Sequence, residues 1–356
     1  MDSARRRVTV FDIARAVHVS IATVDRALKG RDGISPATAA RVLSVAAELG
    51  WQPNMAAQGL SRRVPLDIRV LLPDDDNPFI RQLQRIVGDL RDEFLAFRID
   101  PSVETYPSLD SAALAAAIDR HAGSKGVGLA VVALQDPAVG ASIDRAVESG
   151  VPVVTLLSDV QNCARQAYVG MDNFAAGRTA GALLGWFVGR RDAQLCIFGG
   201  SELYQELALR VAGCEEVLAA RFPSTRLLPV QWNVEHAGPA REAARNLLAT
   251  HRDLSAIYVA GGGLFGVAEA LAEAGRAGST ILIGHDMAGG MRELLRNGTV
   301  NAVICQNPYQ QVRRGIRLAA LHASGTAVTE PPAFAEIEIV IDESAPESFG
   351  RNPLDY

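Results

Sequence analysis

The sequence predicts an α/β protein: a small helical head followed by two doubly wound α/β lobes. Two observations point there. Short, capped amphipathic segments separated by turn residues fill residues 1–63, whereas from Ile68 onward apolar runs alternate with longer amphipathic stretches. The charge divides at the same place. Residues 1–63 hold ten Lys and Arg against five Asp and Glu, a net of +5, while the rest of the 356-residue chain holds 25 against 35. The whole-chain charge of −5 therefore hides a basic head on an acidic body, the pattern of a chain with one end facing a polyanion.

In the head, Thr9 with Asp12 three residues on forms a capping box for a first helix carrying Phe11, Ile13, Ala14 and Val17. A tight turn through Val17-His18-Val19 leads to Ser20, the cap of a second helix reaching about Leu28. Asp32-Gly33 breaks the chain, Ser35-Pro36 opens a third helix with the apolar stripe Val42, Leu43, Ala46 and Leu49, and Gly50 ends it. Met55 to Leu60 is a short helical candidate before Arg62-Arg63 and Pro65. In the body, Ile68–Leu72, Gly126–Leu134, Val151–Leu157, Ala167–Val169, Gln194–Phe198, Ser255–Val259, Ile281–Ile283 and Ala302–Ile304 read as buried parallel strands. Helix-sized stretches lie between most of them: 79–95, 137–149, 174–188, 203–220, 238–250, 264–275 and 288–296. Nearly 290 residues is large for one such sheet, so two lobes with a cleft are expected.

Several classes are excluded. Apolar runs such as Leu129 to Leu134 are far short of the ~20 residues that span a bilayer. The first twenty residues carry four arginines and no apolar core of a secretory signal, so a cytoplasmic protein is expected. Cys163, Cys196, Cys214 and Cys305 form no CxxC pair and read as buried, reduced residues. The six histidines show neither HxH nor HExxH spacing, and neither a GxSxG motif nor a P-loop is present, so no metal, no cofactor and no catalytic residue is expected.

A tight turn between two short helices fits a helix-turn-helix, whose second helix presents its first residues to base edges in the major groove. The reading positions are then Ile21, Ala22 and Arg26: the guanidinium can hold guanine O6 and N7, and the other two offer apolar contact to a thymine methyl. Thr23 and the amides at Ser20 suit phosphate. A three-helix domain with solvated arginines is the plainer alternative. From Val8 to Leu60 the chain resembles the head of the LacI/GalR family of bacterial transcription factors. It shares T-x-x-D-I-A, the V-S-x-x-T-V turn and helix, I-S-x-x-T-x-x-R-V, and G-W-x-P-N-x-x-A-x-x-L. The resemblance implies that Ile21, Ala22 and Arg26 face bases. It also implies that residues 54–60, with Asn54, Ala57 and Leu60, form a hinge helix ordered on DNA, where Leu60 wedges a base step at the centre of a palindrome. Two positions depart from the family pattern. Asp25 stands where most members carry a small hydroxyl residue and needs Arg26 or Arg5–Arg7 to neutralise it, and Gly59 lowers helix propensity by ~1 kcal/mol relative to alanine.

The body resembles the periplasmic sugar-binding-protein fold that completes this family, through NPFI at 77–80, GVPVVTL at 150–156, YVGMDNFAAGRTAG at 168–181, LIGHDM at 282–287 and VNAVICQNP at 300–308. This implies a helix-turn-helix domain at 1–50, a hinge and linker at 51–65, and an effector-binding and dimerisation body at 66–356. Its lobes are expected at 66–170 plus 303–329 and at 171–302 plus 330–356. Ligands of open α/β lobes sit at the carboxyl ends of strands, where the candidates fall. Phe79 is a stacking face or core. Gln135 is a hydroxyl ligand or a loop residue. Arg210, in an R-x-x-G helix, is a two-bond donor to hydroxyls, carboxylate or phosphate, or else a surface arginine. Asp286 aligns with the family's sugar-binding aspartate, Gln306 follows the next strand, and Trp232 is a second stacking face or core. Asp172 is expected to cap the helix at 174–188.

The resemblance thus implies a dimeric repressor, without a membrane partner, that binds palindromic DNA and senses a small sugar or sugar derivative. Two alternatives stay open. One is a co-repressor mode with a non-sugar ligand. The other is a dinucleotide-binding enzyme using Gly261–Gly266, which satisfies GxGxxG between a strand and a helix with Asp286 twenty residues on. Short of a dinucleotide, that amide-rich helix start favours an anionic group such as a sugar phosphate or acid.

Overall fold

A computed structural model of the chain describes residues 7–189, 192–329 and 333–345. The head comprises α1 (Val10–Val17), α2 (Ile21–Leu28) and α3 (Pro36–Glu48), packed around Ile13, Val17, Val24, Leu28, Val42 and Ala46. Each start is secured as its sequence requires. The Thr9 amide donates to Asp12 Oδ2 at 2.9 Å, and Ser20 and Ser35 accept from Thr23 and Thr38, each at 3.1 Å. His18, at φ 56°, reverses the chain between α1 and α2. A fourth helix, α4 (Met55–Ser61), is capped by Asn54, whose side chain accepts from the Ala57 amide at 3.2 Å.

The first sheet is built from β1 (Leu66–Asp74), α5 (Pro78–Leu95), β2 (Ile99–Pro107), α6 (Ser111–Asp119), β3 (Val127–Val131), α7 (Pro137–Glu148), β4 (Val153–Leu156) and β5 (Ala167–Val169). Its strand order is β2-β1-β3-β4-β5, all parallel. The chain then builds a second lobe with α8 (Asn173–Val188), β6 (Gln194–Phe198), α9 (Gln205–Arg221), β7 (Arg226–Leu227), α10 (Ala237–Thr250), β8 (Leu254–Val259), α11 (Leu264–Glu273), β9 (Ile281–His285), α12 (Met291–Arg296) and β10 (Ala302–Cys305). Helix α13 (Pro308–Ala323) returns to the first lobe, burying Val312, Ile316 and Ala319 in its core. Strand β11 (Glu338–Val340) then closes the second sheet, antiparallel to β10, in the order β11-β10-β9-β8-β6-β7. Burying both faces of each sheet explains why their strands are continuous apolar runs.

Two differences from the sequence reading have physical causes. Strand β2 has no counterpart there, because Pro101, Ser102 and Glu104 interrupt its apolar run; as an edge strand it is only half covered. The lobe boundary expected at 303 is corrected: β10 pairs with β9 in the second sheet, so the chain crosses after Cys305. The expected residues 330–332 and 346–356 of the second lobe lie outside the described residues. All four cysteines are free, and Cys196, Cys214 and Cys305 are buried. No helix among the described residues is long and apolar enough to cross a membrane.

The head rests on the first lobe. The Ala327 amide donates to Leu28 O at 2.8 Å, Gln58 Nε2 to Thr326 Oγ1 at 3.2 Å, Thr329 Oγ1 to Trp51 O at 3.0 Å and Arg62 to Phe97 O at 3.4 Å. Gly59 permits this seat: a Cβ there would stand 2.7 Å from Phe97 O. Gly59→Ala should therefore cost the seated hinge about 1–3 kcal/mol. The expected result is several-fold faster tryptic cleavage after Arg62 and Arg63 at unchanged melting temperature of the body. Unchanged cleavage would show that the seat does not depend on this contact.

Candidate functional site

Two surfaces carry the candidate residues, one on the head and one between the lobes. On α2, Ile21, Ala22 and Arg26 are exposed, and Ile21, a large apolar residue, keeps 43% of its surface in solvent. Ser20 and Thr23 are joined at 2.8 Å between their hydroxyls, which leaves the first turn of α2 presenting small polar groups and amides. Asp25 turns away from this role: Lys29 Nζ sits 2.6 Å from its carboxylate and Arg31 3.7 Å, so its counter-charges come from the end of its own helix and the residues beyond it. Of the counter-charges expected for it, Arg5 and Arg6 lie outside the described residues, and Arg7 instead donates to Pro53 O at 3.0 Å. On α4, Asn54 and Ala57 are exposed and Leu60 is 90% exposed, an apolar side chain that buries nothing in the chain itself.

Between the lobes lies a cavity of about 560 Å³ at the carboxyl ends of the strands. The first lobe contributes Asp75 and Phe79. Asn77 caps α5 by accepting from the Phe79 amide at 3.0 Å, which sets that ring at the mouth. The second lobe contributes Arg210, 3% exposed, whose Nε donates to Asn173 Oδ1 at 2.8 Å and whose terminal nitrogen donates to Ala260 O at 2.9 Å. Asn173 is fixed in turn at the start of α8, where Asp172 caps the helix by accepting from Ala175 at 2.9 Å. Across the cavity Gln306 Nε2 donates to both oxygens of Asp286 at 3.1 Å. Burial raises the Asp286 carboxyl to about 6, a shift that Arg210 and Gln306 partly offset.

Phe79, Arg210, Asp286 and Gln306 thus share one cavity. Gln135 and Trp232 do not line it. The Gln135 side chain accepts from the Gln161 amide at 3.0 Å, holding a loop, while its own amide donates to Leu203 O at 2.7 Å and ties the lobes together. Trp232 packs on Gly199 at the end of β6, in the core of the second lobe. Asp75, Glu206, Glu235 and His285 also line the cavity, without a ligand role in the sequence reading. The Asp-Asp-Asp-Asn run after β1 is a signal for the first. His285 and Asp286 are neighbours in the chain, yet β9 ends at His285 and Asp286 takes φ 62°, which brings both onto the cavity. The His285 Nε2 pairs with Tyr258 OH at 2.7 Å, and burial lowers its basicity, so it stands neutral with Nδ1 sealed from solvent.

The glycine-rich motif has a packing cause. A Cβ at Gly263 would stand 2.3 Å from Val234 O and one at Gly266 1.9 Å from Ala237 O, so these glycines let α11 lie against the loop that opens α10. Among the described residues no group of His, Cys, Asp and Glu is arranged to hold a metal ion.

A helix-turn-helix reader joined to a two-lobed body with an interlobe cavity is what the fold and the two surfaces define. Residues 68–327 match the periplasmic binding protein domain, and residues 9–54 match the bacterial regulatory proteins of the lacI family. The chain belongs to the periplasmic-binding-protein domain family and carries a lacI-family head. Among curated relatives, catabolite control protein A of Priestia megaterium is 37% identical over 83 residues, 23% of this chain and 25% of that protein. The HTH-type transcriptional regulator pepR1 of Lactobacillus delbrueckii subsp. lactis is 34% identical over 86 residues, 24% and 26% of the two chains. The match thus spans about a quarter of these relatives' length. Among solved structures, a glucose-galactose binding protein from Geobacillus stearothermophilus superposes with a TM-score of 0.71 at 23% identity, covering 80% of this chain and 100% of that one. A solute-binding protein from Burkholderia graminis in complex with D-arabinose gives 0.72 at 19%, covering 80% and 97%. These likenesses are to the body and show its fold.

The raised Asp286 carboxyl gives a signed prediction. Its folded pKa of about 6 exceeds the ordinary carboxylate value, so the native state holds the proton more tightly and loses stability as pH rises through that value. Asp286→Asn, which needs no proton to stay neutral, should stabilise the ligand-free protein by about 1–3 kcal/mol at pH 7.5 and by nothing near pH 4. Denaturant titrations at the two pH values measure it. Equal effects at both would show that the carboxylate is not desolvated.

Proposed function

We propose that this chain is a ligand-responsive transcriptional regulator, most simply a repressor. It binds palindromic operator DNA as a homodimer in the cytoplasm, and it senses a small sugar or sugar derivative between its lobes. The observation that carries the reading is the coexistence in one chain of an exposed reading helix, an exposed hinge leucine and an interlobe cleft lined by charged and apolar groups. The head supplies affinity and sequence choice: Arg26 for a guanine, Ile21 and Ala22 for thymine methyls, Ser20 and Thr23 for phosphate. Asn54 and Ala57 lie along the minor groove, and Leu60 opens a base step there. In the body, Phe79, Arg210, Asp286 and Gln306 hold the effector, whose binding shifts DNA affinity by its difference in affinity for the two lobe arrangements. No catalytic step is required of any of these groups.

The test is binding of the purified chain to duplex DNA from upstream of its own gene, across salt concentrations. Specific binding with a steep negative salt slope is expected, and absence of specific binding at low salt would overturn the reading. Arg26→Ala should weaken it about 10- to 100-fold and relax one base preference. Leu60→Ala should weaken specific more than non-specific binding. Adding effector then decides the sign: release marks an inducer, and tighter binding a co-repressor.

A further inference from the structure

The lining of the cavity is unbalanced in charge. Asp75, Glu206, Glu235 and Asp286 contribute four carboxyl groups, against the single guanidinium of Arg210. That guanidinium is committed to the neutral oxygens of Asn173 and Ala260, and among the described residues it forms no ion pair with any of the four. Asp75 has His236 at 3.6 Å on the opposite rim, and Asp76 at the mouth is paired outward with Arg81. Deeper in, no carboxyl has an ion-pair partner among the described residues, and Arg210 acts on Glu206 and Asp286 only through space. Asp286 has the neutral Gln306 amide, Glu206 has the Ser158 side chain nearby, and Glu235 Oε2 is sealed without a hydrogen-bond partner among the described residues. Nδ1 of His285, a residue only 4% exposed that lines the same cavity, is likewise without a partner there.

Like charges gathered in a partly enclosed cleft oppose one another's ionisation, and an opposite charge placed among them lowers that cost. A neutral sugar can satisfy the acceptors but leaves the charge unbalanced, and an acid or phosphate worsens it. The amino terminus of α11, the feature that favours an anion, opens into this same cavity and faces this excess of carboxylate. Phe79 and Phe265 supply apolar faces for a ring and its CH groups.

We propose that the cleft is selective for an amine-bearing sugar. The protonated amine is received by the carboxylates, and the hydroxyls by Gln306, His285 and the remaining oxygens. This rests on the cleft being the effector site and adds the charge of the effector.

The experiment is calorimetric titration of the full-length chain with glucosamine, galactosamine and mannosamine, beside glucose, galactose, mannose, the N-acetyl forms, glucuronate and glucose 6-phosphate. An amino sugar is expected to bind about ten-fold or more tightly than both its neutral parent and its N-acetyl form, with the acid and the phosphate weakest. Glu235→Gln should bring amine and parent affinities together while leaving the fold intact by circular dichroism. Glu206→Gln provides the same readout if Glu235→Gln fails to fold. Neutral sugars binding as tightly as the amines, or the anionic ones binding best, would overturn the charge selection and leave the effector site standing. Binding of none of these would overturn both.

Discussion

The Arg210 guanidinium organises the second lobe beneath the cleft. It is almost fully buried and touches the start of α8 through Asn173 and the end of β8 through Ala260 O, so three elements share one planar donor. Removing such a group leaves its acceptors stranded in the interior, which costs more than the bonds themselves contribute. Asn173 passes the constraint on: its amide nitrogen donates to Tyr168 OH at 3.2 Å, and Tyr168 donates to Leu157 O at 2.8 Å. Floor, crossover and first sheet are therefore held in one hydrogen-bonded series.

Polar contacts between the lobes include the Gln135 amide on Leu203 O and His236 beside Asp75. Exposed polar contacts of this kind are weak singly and solvent-sensitive. Apolar packing joins the lobes as well, because Tyr204 and Leu207 of the second lobe lie in the core cluster of the first.

Much of this was legible in the sequence because it rests on periodicity and caps. The Ser20, Ser35, Asn54 and Asp172 starts are local chemistry, and apolar runs such as Gln194–Phe198 coincide with their strands. The cavity was legible where a residue directly follows a strand, as Asp286 and Gln306 do. It was not where a side chain has two uses. Gln135 stands in an equivalent place but closes a loop, and Trp232 is drawn into core by the bare backbone of Gly199. Glu206 and Glu235 have no local signature, since their relevance arises from which loops the two sheets bring together. The lobe boundary was misplaced because the pairing of β10 is a long-range fact that an apolar run cannot announce.

Gly59 reverses the usual lesson of helix propensity. Read locally it is a defect, costing ~1 kcal/mol against alanine. Set beneath the Phe97 carbonyl it acts as a steric filter, because any residue with a Cβ would have to displace main chain rather than a pliable side chain. Attempts to strengthen this hinge by consensus would therefore loosen its attachment, and variation along α4 is confined to the faces that do not look toward Phe97.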